Sequence, residues 1–381
     1  MTRSVQGGKA IVYNEFMYVL GGGERSALAY ARALLDLGFR AEILTVNPPP
    51  APERIVSTFG EEFADIPVRF VEPAGLDAYL ASEPISVFVN HTFMNFHPNP
   101  AAVGIYAQMF PSAEVRRNAQ GDATAYLDTY QRMSCISEFA RQHTISRWDF
   151  PPERMRVLHP PLGRRFIRAA RWGLLLPPGK QRRFVTLGRF NPGLHNKNQS
   201  IVIDAFVQAR KRHAALLDWE LVVIGNVNTN PASRAYYEEC RRLAEPGGVR
   251  VLTDVPLHQL LPLLRESFGF VLGTGAFVDP QAQPEKCEHY GLAVAEGMAF
   301  GCIPLVYHAG GFLEVFDPER MGFSYSDRDQ LMDGFARAAS VFGTPQARKL
   351  QRANRLAAHR LSRRHFTRGL RQMIDDAVAG R

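Results

Sequence analysis

The sequence predicts an α/β protein of two domains, each built on a doubly wound parallel sheet. The chain has 381 residues, and single hydrophobic cores seldom grow beyond roughly 250–300 residues. Short apolar runs alternate with helical patterns along the chain, which is typical of parallel strands joined by helices. The alternation stops at residues 163–181, which are rich in Arg, Pro and Gly, and then begins again. This segment is therefore predicted to be the linker between the two domains.

The first half opens with a strand at 9–13, a triple glycine, a helix and a second strand at 41–46. Gly22 and Gly23 would let the backbone approach a ligand closely, and a simple helix-entry turn is the alternative. The pattern is not G-x-G-x-x-G, and no acidic residue closes the second strand, which disfavours a nicotinamide dehydrogenase. Further strands are predicted at 68–71, 86–91 and 104–111. Residues 132–140 are predicted to form a short strand followed by the start of a helix that Ser137 caps. The segment at 155–161 then leaves the domain.

Polar residues lie near the carboxyl ends of two of these strands. Asn90 and His91 end the strand at 86–91, and Gln108 lies in the strand at 104–111. Side chains at this edge of a parallel sheet tend to face the ligand crevice, so all three are candidates for ligand contact. For a single histidine, packing or capping is the more common outcome and is the preferred interpretation of His91.

The second half repeats the alternation. Strands are predicted at 184–190, 220–225, 249–252, 269–273 and 303–307, with helices at 200–212 and 231–244. Arg189 and Lys197 follow the first of these strands. The planar fork of arginine and the mobile charge of lysine together suit a diphosphate. Two surface cations near a turn are the alternative.

Two glutamates, Glu288 and Glu296, frame the start of a short helix that is predicted to begin near Tyr290 or Gly291. The first turn of such a helix offers unpaired amides and a positive dipole end to an anion. Glu288 would lie in the loop facing that anion, and Glu296 could reach a neutral polyol such as a ribose. The alternative is a buried crossover with two incidental glutamates.

Composition narrows the class of protein further. The four cysteines form no C-x-x-C pair, and the D-x-D at 327–329 is predicted to begin a helix, so no metal site is expected. Residues 1–165 hold 16 Lys/Arg and 17 Asp/Glu, whereas the remainder holds 29 and 20. Such a basic half suits a polyanionic ligand, an anionic membrane or nucleic acid. The basic run from 348 to 381 is predicted to be a solvated helix face, with contact to anionic lipid as the sharper alternative. No signal peptide or membrane span is predicted, so a cytoplasmic protein is expected.

The sequence resembles glycosyltransferase family 4, a retaining family with the GT-B architecture, over nearly the whole chain. The motifs that carry the resemblance are Glu288-x7-Glu296, the Gly188-Arg189-Phe190 and His195-Asn196-Lys197-Asn198-Gln199 segments, and Gly22-Gly23-Glu24. Residues 288–292 and 308–311 are also similar to the mannosyltransferases that extend lipid-linked oligosaccharides, which favours a mannosyl donor. The resemblance implies two Rossmann-like domains facing across a cleft. Residues 1–165 would bind the acceptor, residues 175–360 would bind the donor, and a C-terminal helix at about 360–381 would pack back on the first domain.

The resemblance also implies roles for single residues. Arg189 and Lys197 would hold the donor phosphates, and Glu288 would lie at the donor sugar and the reaction centre. Gly22 and Gly23 would close over the donor phosphates and sugar, and His289 would lie beside the donor. The backbone of Gly291, Leu292 and Ala293 would contact the diphosphate. Glu296 would bind the ribose. Two departures affect this picture. Gly193-Leu194-His195 is inserted between the two cations, and Gln108 lies where many members have a histidine, for which His91 could compensate.

The implied reaction moves a hexosyl or deoxyhexosyl unit from a GDP-, UDP- or dTDP-sugar to a hydroxyl of a glycan, lipid-linked glycan or small molecule. Anomeric configuration would be retained, and neither a cofactor nor a metal would be needed. Peripheral contact with the inner face of an anionic membrane is a further candidate interaction. One alternative is a nucleotide-sugar 2-epimerase or hydrolase on the same architecture. Another is a non-catalytic nucleic-acid-binding protein, which is disfavoured because the basic run lacks interleaved aromatic residues.

Overall fold

A computed structural model of the protein describes residues 7–93, 97–110, 123–148, 150–193 and 195–380. The chain divides into two compact units. Unit 1 comprises Met1–Arg164 and Leu361–Arg381, and unit 2 comprises Arg165–Arg360. Within the described residues, no helix is long and apolar enough to cross a lipid bilayer.

Unit 1 is built on a seven-stranded parallel sheet with the strand order β3-β2-β1-β4-β5-β6-β7. Its strands are β1 (Lys9–Tyr13), β2 (Arg40–Thr45), β3 (Val68–Phe70), β4 (Ile85–Asn90), β5 (Val103–Gln108), β6 (Arg132–Cys135) and β7 (Met155–Val157). The central strands are buried on both faces, which explains why they appear in the sequence as continuous apolar runs. The first five helices are α1 (Gly22–Asp36), α2 (Pro52–Phe59), α3 (Leu76–Ala81), α4 (Ala123–Leu127) and α5 (Glu138–Arg147).

Unit 2 is built on a six-stranded parallel sheet with the order β10-β9-β8-β11-β12-β13. Its strands are β8 (Gln181–Leu187), β9 (Glu220–Gly225), β10 (Val249–Thr253), β11 (Ser267–Leu272), β12 (Ile303–Tyr307) and β13 (Phe323–Tyr325). The next helices are α6 (Arg164–Leu175), α7 (Gln199–Arg212), α8 (Pro231–Ala244), α9 (Leu257–Glu266), α10 (Leu292–Ala299), α11 (Pro318–Met321), α12 (Arg328–Ser340) and α13 (Pro345–Arg360). Two doubly wound parallel α/β folds are therefore confirmed.

The last helix, α14 (Arg363–Val378), belongs to unit 1. Its apolar side is part of the same hydrophobic core as α1, and the rings of Phe366 and Tyr30 meet edge to face with centroids 4.9 Å apart. At the C-terminal end of α1, Asp36 Oδ2 accepts from Arg363 Nε at 3.0 Å. Unit 1 thus takes one of its core helices from a segment that follows unit 2 in sequence.

Two helix starts agree with their sequence signals. Ser137 Oγ accepts a hydrogen bond from the Ala140 N–H at 3.1 Å and so caps α5. Asp327 caps α12 by accepting from the Gln330 N–H at 2.8 Å, so the D-x-D sequence begins a helix as predicted.

Two predicted segments differ in detail from the structure. The boundary between the units, Arg164/Arg165, falls within the predicted linker 163–181, but α6 occupies most of this segment and buries Phe166, Ala170 and Gly173 on one side. The triple glycine lies at a helix entry, which was the alternative interpretation, because α1 begins at Gly22. Glu24 supplies the reason: its Oε2 accepts from the Gly21 N–H at 2.6 Å and fixes the start of the helix there.

Candidate active site

The loops after β8 and β11 meet at the carboxyl edge of the unit 2 sheet. These strands are neighbours, and the chain continues from β8 toward β9 on one side and from β11 toward β12 on the other. Ligands of doubly wound sheets bind where the strand order reverses in this way. The two loops are joined directly, because Asn198 Nδ2 donates to the Gly273 carbonyl at 2.9 Å.

Lys197 and Glu288 form an ion pair at this point, although 91 positions separate them in sequence. Lys197 Nζ lies 2.9 Å from Glu288 Oε2. Glu288 is buried, and burial alone would raise its pKa. The charge and hydrogen bond of Lys197 outweigh that effect and lower the pKa of Glu288 below its ordinary value. The structure therefore holds a carboxylate and an ammonium group together at a site with limited exposure to solvent.

The loop after β12 supports Glu288 from the backbone. The Gly311 N–H donates to the Glu288 carbonyl at 2.8 Å. Gly310 has a φ of 101°, and a Cβ built there would lie only 2.4 Å from the same carbonyl oxygen. Only glycine gives this backbone both the conformation and the space that it needs. The position of Glu288 thus depends on a loop that follows it by about twenty residues.

Helix α10 begins next to Glu288, close to its predicted start. Gly291 precedes it with a φ of 81°, and its N–H donates to Glu288 Oε1 at 2.9 Å. The amide of Gly291, which was assigned to the diphosphate, is thus engaged by Glu288 in this structure. The amides of Leu292 and Ala293 belong to the first turn, whose N–H groups have no carbonyl partner within a helix. Glu296 is half-buried in the following turn.

Two histidines and a second cation lie around Lys197. The rings of His195 and His289 meet edge to face, with centroids 4.4 Å apart. His289 Nε2 donates to the Pro284 carbonyl at 2.9 Å, and burial lowers the pKa of His289 to about 4, so its ring is neutral at pH 7. Burial is the largest cause of a lowered pKa of His195, and the positive charges of Lys197 and Arg189 lower it further. Arg189 itself is exposed.

His195 was not singled out as a site residue from the sequence. Its signals were the insertion Gly193-Leu194-His195, of which Leu194 lies outside the described residues, and its place at the start of the segment His195-Asn196-Lys197-Asn198-Gln199. The structure brings His195 against His289 and so makes His195 part of the site. Among the described residues, no group of three or more His, Cys, Asp and Glu side chains could hold a metal ion.

Asn90 and His91 lie at the corresponding reversal of unit 1, between β1 and β4, but both are engaged within the protein. Asn90 Nδ2 donates to the Tyr130 hydroxyl at 3.0 Å. The His91 N–H donates to the Tyr13 carbonyl at 2.8 Å, and Asn14 Nδ2 donates to the His91 carbonyl at 2.9 Å. His91 as a whole residue is only 1% exposed. These contacts match the packing interpretation of His91 better than contact with a ligand.

Gln108 presents a different case. It ends β5 and is 1% exposed, and neither amide atom of its side chain has a hydrogen-bond partner among the described residues. Buried amides are normally paired, so an unpaired one calls for an explanation such as a ligand. A Cβ built on Gly23 would lie 3.4 Å from the sulfur of Met109, the next residue. The start of α1 and the end of β5 therefore adjoin, with Gln108 beside them.

The buried histidine gives a testable dependence of stability on pH. Burial lowers the pKa of His91 from 6.5 to about 4, so between these values the unfolded chain binds more protons than the folded one. The contribution of this neutral, buried histidine to the free energy of unfolding is fully present above pH 6.5. It is lost as the pH falls toward about 4, at up to about 1.4 kcal/mol per pH unit. We expect His91→Gln to flatten the pH dependence of the free energy of unfolding, measured by urea titration between pH 7 and pH 4.5. His365→Gln, which changes an exposed histidine of unit 1, is the control, and equal slopes in all three proteins would contradict the prediction.

Several known sequences and structures resemble this chain. Residues 174–341 match the family described as glycosyl transferases group 1. The matched residues all lie within unit 2. The chain is also 26% identical over 215 residues to a GDP-Man:Man(3)GlcNAc(2)-PP-Dol alpha-1,2-mannosyltransferase of Neurospora crassa, a match that covers 53% of this chain. It spans about a third of the length of that relative, 35%.

Solved structures agree with the fold of both units. A glycosyltransferase from Rickettsia africae superposes with a TM-score of 0.71 at 14% identity, covering 99% of this chain and 100% of that one. Anabaena HepE in complex with UDP superposes with a TM-score of 0.68 at 13% identity, covering 97% and 100%. At such identities the likeness concerns the fold, which is that of GT-B glycosyltransferases. The residues that match the glycosyl transferases group 1 family include Arg189, Lys197 and both glutamates.

Proposed function

We propose that this protein is a retaining glycosyltransferase of family 4 that moves a hexosyl or deoxyhexosyl unit from a nucleoside diphosphate sugar to an acceptor hydroxyl. The observation that carries the proposal is the Lys197–Glu288 pair at the start of α10. It joins a cation, a carboxylate and helix amides at the strand reversal of a glycosyl transferases group 1 domain. These groups match a substrate with a negatively charged diphosphate and a neutral sugar.

The reaction begins with departure of the diphosphate. Arg189 and Lys197 hold its oxygens and stabilise the charge that grows on them, together with the amides of Leu292 and Ala293. Fixed donors of this kind act on the transition state because they need no reorganisation as the charge develops. Glu296 binds the ribose hydroxyls and anchors the nucleotide. These cations take the place that a divalent ion has in other sugar transferases, so the proposal includes no metal and no cofactor.

The sugar is transferred while its anomeric carbon has oxocarbenium character. Glu288 lies beside the sugar, where its carboxylate favours that positive charge. The acceptor hydroxyl attacks from the face that the diphosphate leaves, and its proton passes to a phosphate oxygen of the departing group. The new C–O bond therefore forms on the same face as the old one, which is retention.

The identity of the substrates is proposed from two kinds of observation. The Neurospora relative is named for GDP-mannose and for a lipid-linked acceptor, and it supports a mannosyl donor. Anabaena HepE was crystallised with UDP, so a uridine donor is the second choice. The acceptor is a glycan, a lipid-linked glycan or a small molecule, and the buried amide of Gln108 is the group in unit 1 best placed to recognise its hydroxyls.

We expect one nucleoside diphosphate to raise the unfolding temperature clearly above the others in a screen of GDP, UDP, dTDP and ADP, with GDP the first choice. A ligand at 100 times its Kd stabilises the folded state by about 2.7 kcal/mol. The matching nucleoside without phosphates is the control, because it lacks the groups that Arg189 and Lys197 would bind. Absence of a shift with all four diphosphates would contradict the proposed donor site.

Turnover of a radiolabelled donor, with and without acceptor, then separates the alternatives. A transferase consumes donor in proportion to acceptor, whereas a 2-epimerase or hydrolase on the same fold consumes it without any. The one-bond carbon–proton coupling at the anomeric carbon of the product, which distinguishes the anomers of mannosides as well as those of glucosides, reports retention or inversion. A nucleic-acid-binding protein would instead bind oligonucleotides with a steep salt dependence and ignore the sugar nucleotides.

A further inference from the structure

The outward side of α6 carries two arginines and an exposed apolar end. Arg168 and Arg171 are exposed, and Trp172, Leu175 and Leu176 are 59%, 67% and 75% exposed. The spacing of these positions by three and four residues places them on one face of a helix. Leu176 continues the same turn, since its N–H donates to the Trp172 carbonyl at 2.8 Å. We call these five residues the α6 face.

The opposite side of α6 fastens the helix to unit 2. Phe166 is buried and meets Phe300 edge to face, with ring centroids 5.9 Å apart. Gly173 is buried so closely that a Cβ built on it would lie 2.5 Å from Arg355 Nε. The α6 face therefore projects from a packed helix and is not the consequence of a frayed segment.

The exposure is unusual within this protein. Among the described residues, eight large hydrophobic side chains are exposed, and the two most exposed are Leu176 and Leu175. Trp172 lies one turn away, whereas the other five are scattered along the chain. Single exposed apolar residues are normal, but a contiguous group marks a surface that binds something.

The chemistry of the α6 face fits an anionic bilayer. Tryptophan prefers the boundary between headgroups and acyl chains, where its ring is apolar on one side and wet on the other. Basic residues on the same side of an amphipathic helix attract anionic headgroups. Neither Arg168 nor Arg171 has a carboxylate partner within 4.0 Å in the part of the chain that the structure describes. A symmetric contact between two copies would place these like charges on each other, which disfavours self-association through this face.

The C-terminal basic run is less suited to insertion, although the sequence made it the first candidate for lipid contact. Helix α14 has already buried its apolar side chains, Phe366, Leu370, Met373 and Ile374, in the core of unit 1. The charged side chains of α14 that remain exposed can attract a membrane surface but cannot insert into its apolar layer. Helix α13, which holds the rest of the basic run, exposes one large apolar side chain, Leu356, whereas the α6 face exposes three.

We propose that the α6 face docks on an anionic membrane, with Trp172, Leu175 and Leu176 at the acyl boundary and Arg168 and Arg171 among the headgroups. This inference goes beyond the proposed function, because it holds whether or not the protein transfers a sugar. It would keep the enzyme at a surface where an acceptor linked to a lipid is concentrated.

Trp172 is a built-in reporter for this contact. The chain has three tryptophans, and the other two, Trp148 and Trp219, are only 5% and 4% exposed. We expect vesicles of phosphatidylglycerol and phosphatidylcholine to shift the emission to the blue and to shield it from acrylamide. Phospholipids brominated on the acyl chains should quench it. Vesicles of phosphatidylcholine alone should have little effect, and added salt should weaken the response.

Two double variants test insertion of the apolar side chains and attraction by the arginines separately. We expect Leu175→Ser/Leu176→Ser to lower the vesicle affinity at least tenfold in flotation assays, and Arg168→Gln/Arg171→Gln to remove the preference for phosphatidylglycerol. Leu217→Ser is the matched control, because Leu217 is 60% exposed in the same unit but lies outside α6. Thermal stabilisation by the nucleoside diphosphate, measured on each variant, shows that unit 2 is folded and tests the donor site separately.

Three results would overturn the proposal. The first is equal vesicle binding by the wild type and Leu175→Ser/Leu176→Ser. The second is equal binding to vesicles with and without phosphatidylglycerol. The third is a blue shift that grows with protein concentration in the absence of lipid, because it would assign the α6 face to contact between protein molecules.

Discussion

Replacing Lys197 by alanine is expected to lower kcat by about 10²–10³-fold, the usual effect of removing one fixed donor from a developing oxyanion. The reason is that Lys197 Nζ, 2.9 Å from Glu288, is the half-buried cation that the proposal places at the leaving diphosphate. Initial rates at saturating donor and acceptor measure the effect. Lys211→Ala, which removes an exposed lysine at the end of α7, should leave kcat unchanged.

The same substitution leaves Glu288 as a buried carboxylate without its partner. Breaking one side of a buried pair commonly destabilises a protein by about 3–5 kcal/mol, so a loss of rate could reflect a loss of folding. Lys197→Ala/Glu288→Gln removes both charges and should recover most of the stability without recovering the rate. Wild-type turnover by Arg189→Ala/Lys197→Ala would overturn the assignment of these cations.

Gly310→Ala is expected to reduce kcat/KM by about 10²-fold, the effect that a displacement near 1 Å at a reacting group can have. The new Cβ would lie 2.4 Å from the Glu288 carbonyl oxygen, so the loop that carries Glu288 must move. The carboxylate would then lose its alignment with Lys197 and with the start of α10. Steady-state kinetics and the unfolding temperature should be measured together.

Gly343→Ala provides the control for this change. Gly343 also has a positive φ, 77°, but a Cβ built there meets no heavy atom within 4 Å. It should therefore show only the conformational cost of an L-residue in this region, about 1–2 kcal/mol, with kcat/KM preserved. Equal activity losses in the two variants would indicate that strain alone, rather than the contact with Glu288, is responsible.

The sequence predicted the start of α10 well because its signals are local. Gly291 precedes the helix with the left-handed backbone that glycine adopts easily, and the apolar spacing follows within eight residues. The ion pair between Lys197 and Glu288 was not predictable in the same way. It depends on β8 and β11 being neighbours in the sheet, and no pattern within either segment specifies strand order.

The errors have similar physical origins. Prolines and glycines around α6 hid a helix whose buried side is only Phe166, Ala170 and Gly173. At the end of β4, the preferred interpretation of His91 as a packed residue agrees with its burial. Nothing in the sequence marked Gln108, at the end of β5, as a buried amide without a partner among the described residues, because such partners come from neighbouring elements that a local pattern does not specify.

The place of α14 in unit 1 has a consequence for biosynthesis. The core of unit 1 includes Phe366 and Ile374, yet its sheet is complete once β7 has been made. At about 5–20 residues per second, a ribosome needs roughly 10–40 s to travel from the end of β7 to the end of α14. During that interval the side of α1 that contacts Phe366 has no cover, while all of unit 2 is synthesised. The core of unit 1 can therefore be completed only after the ribosome has made unit 2.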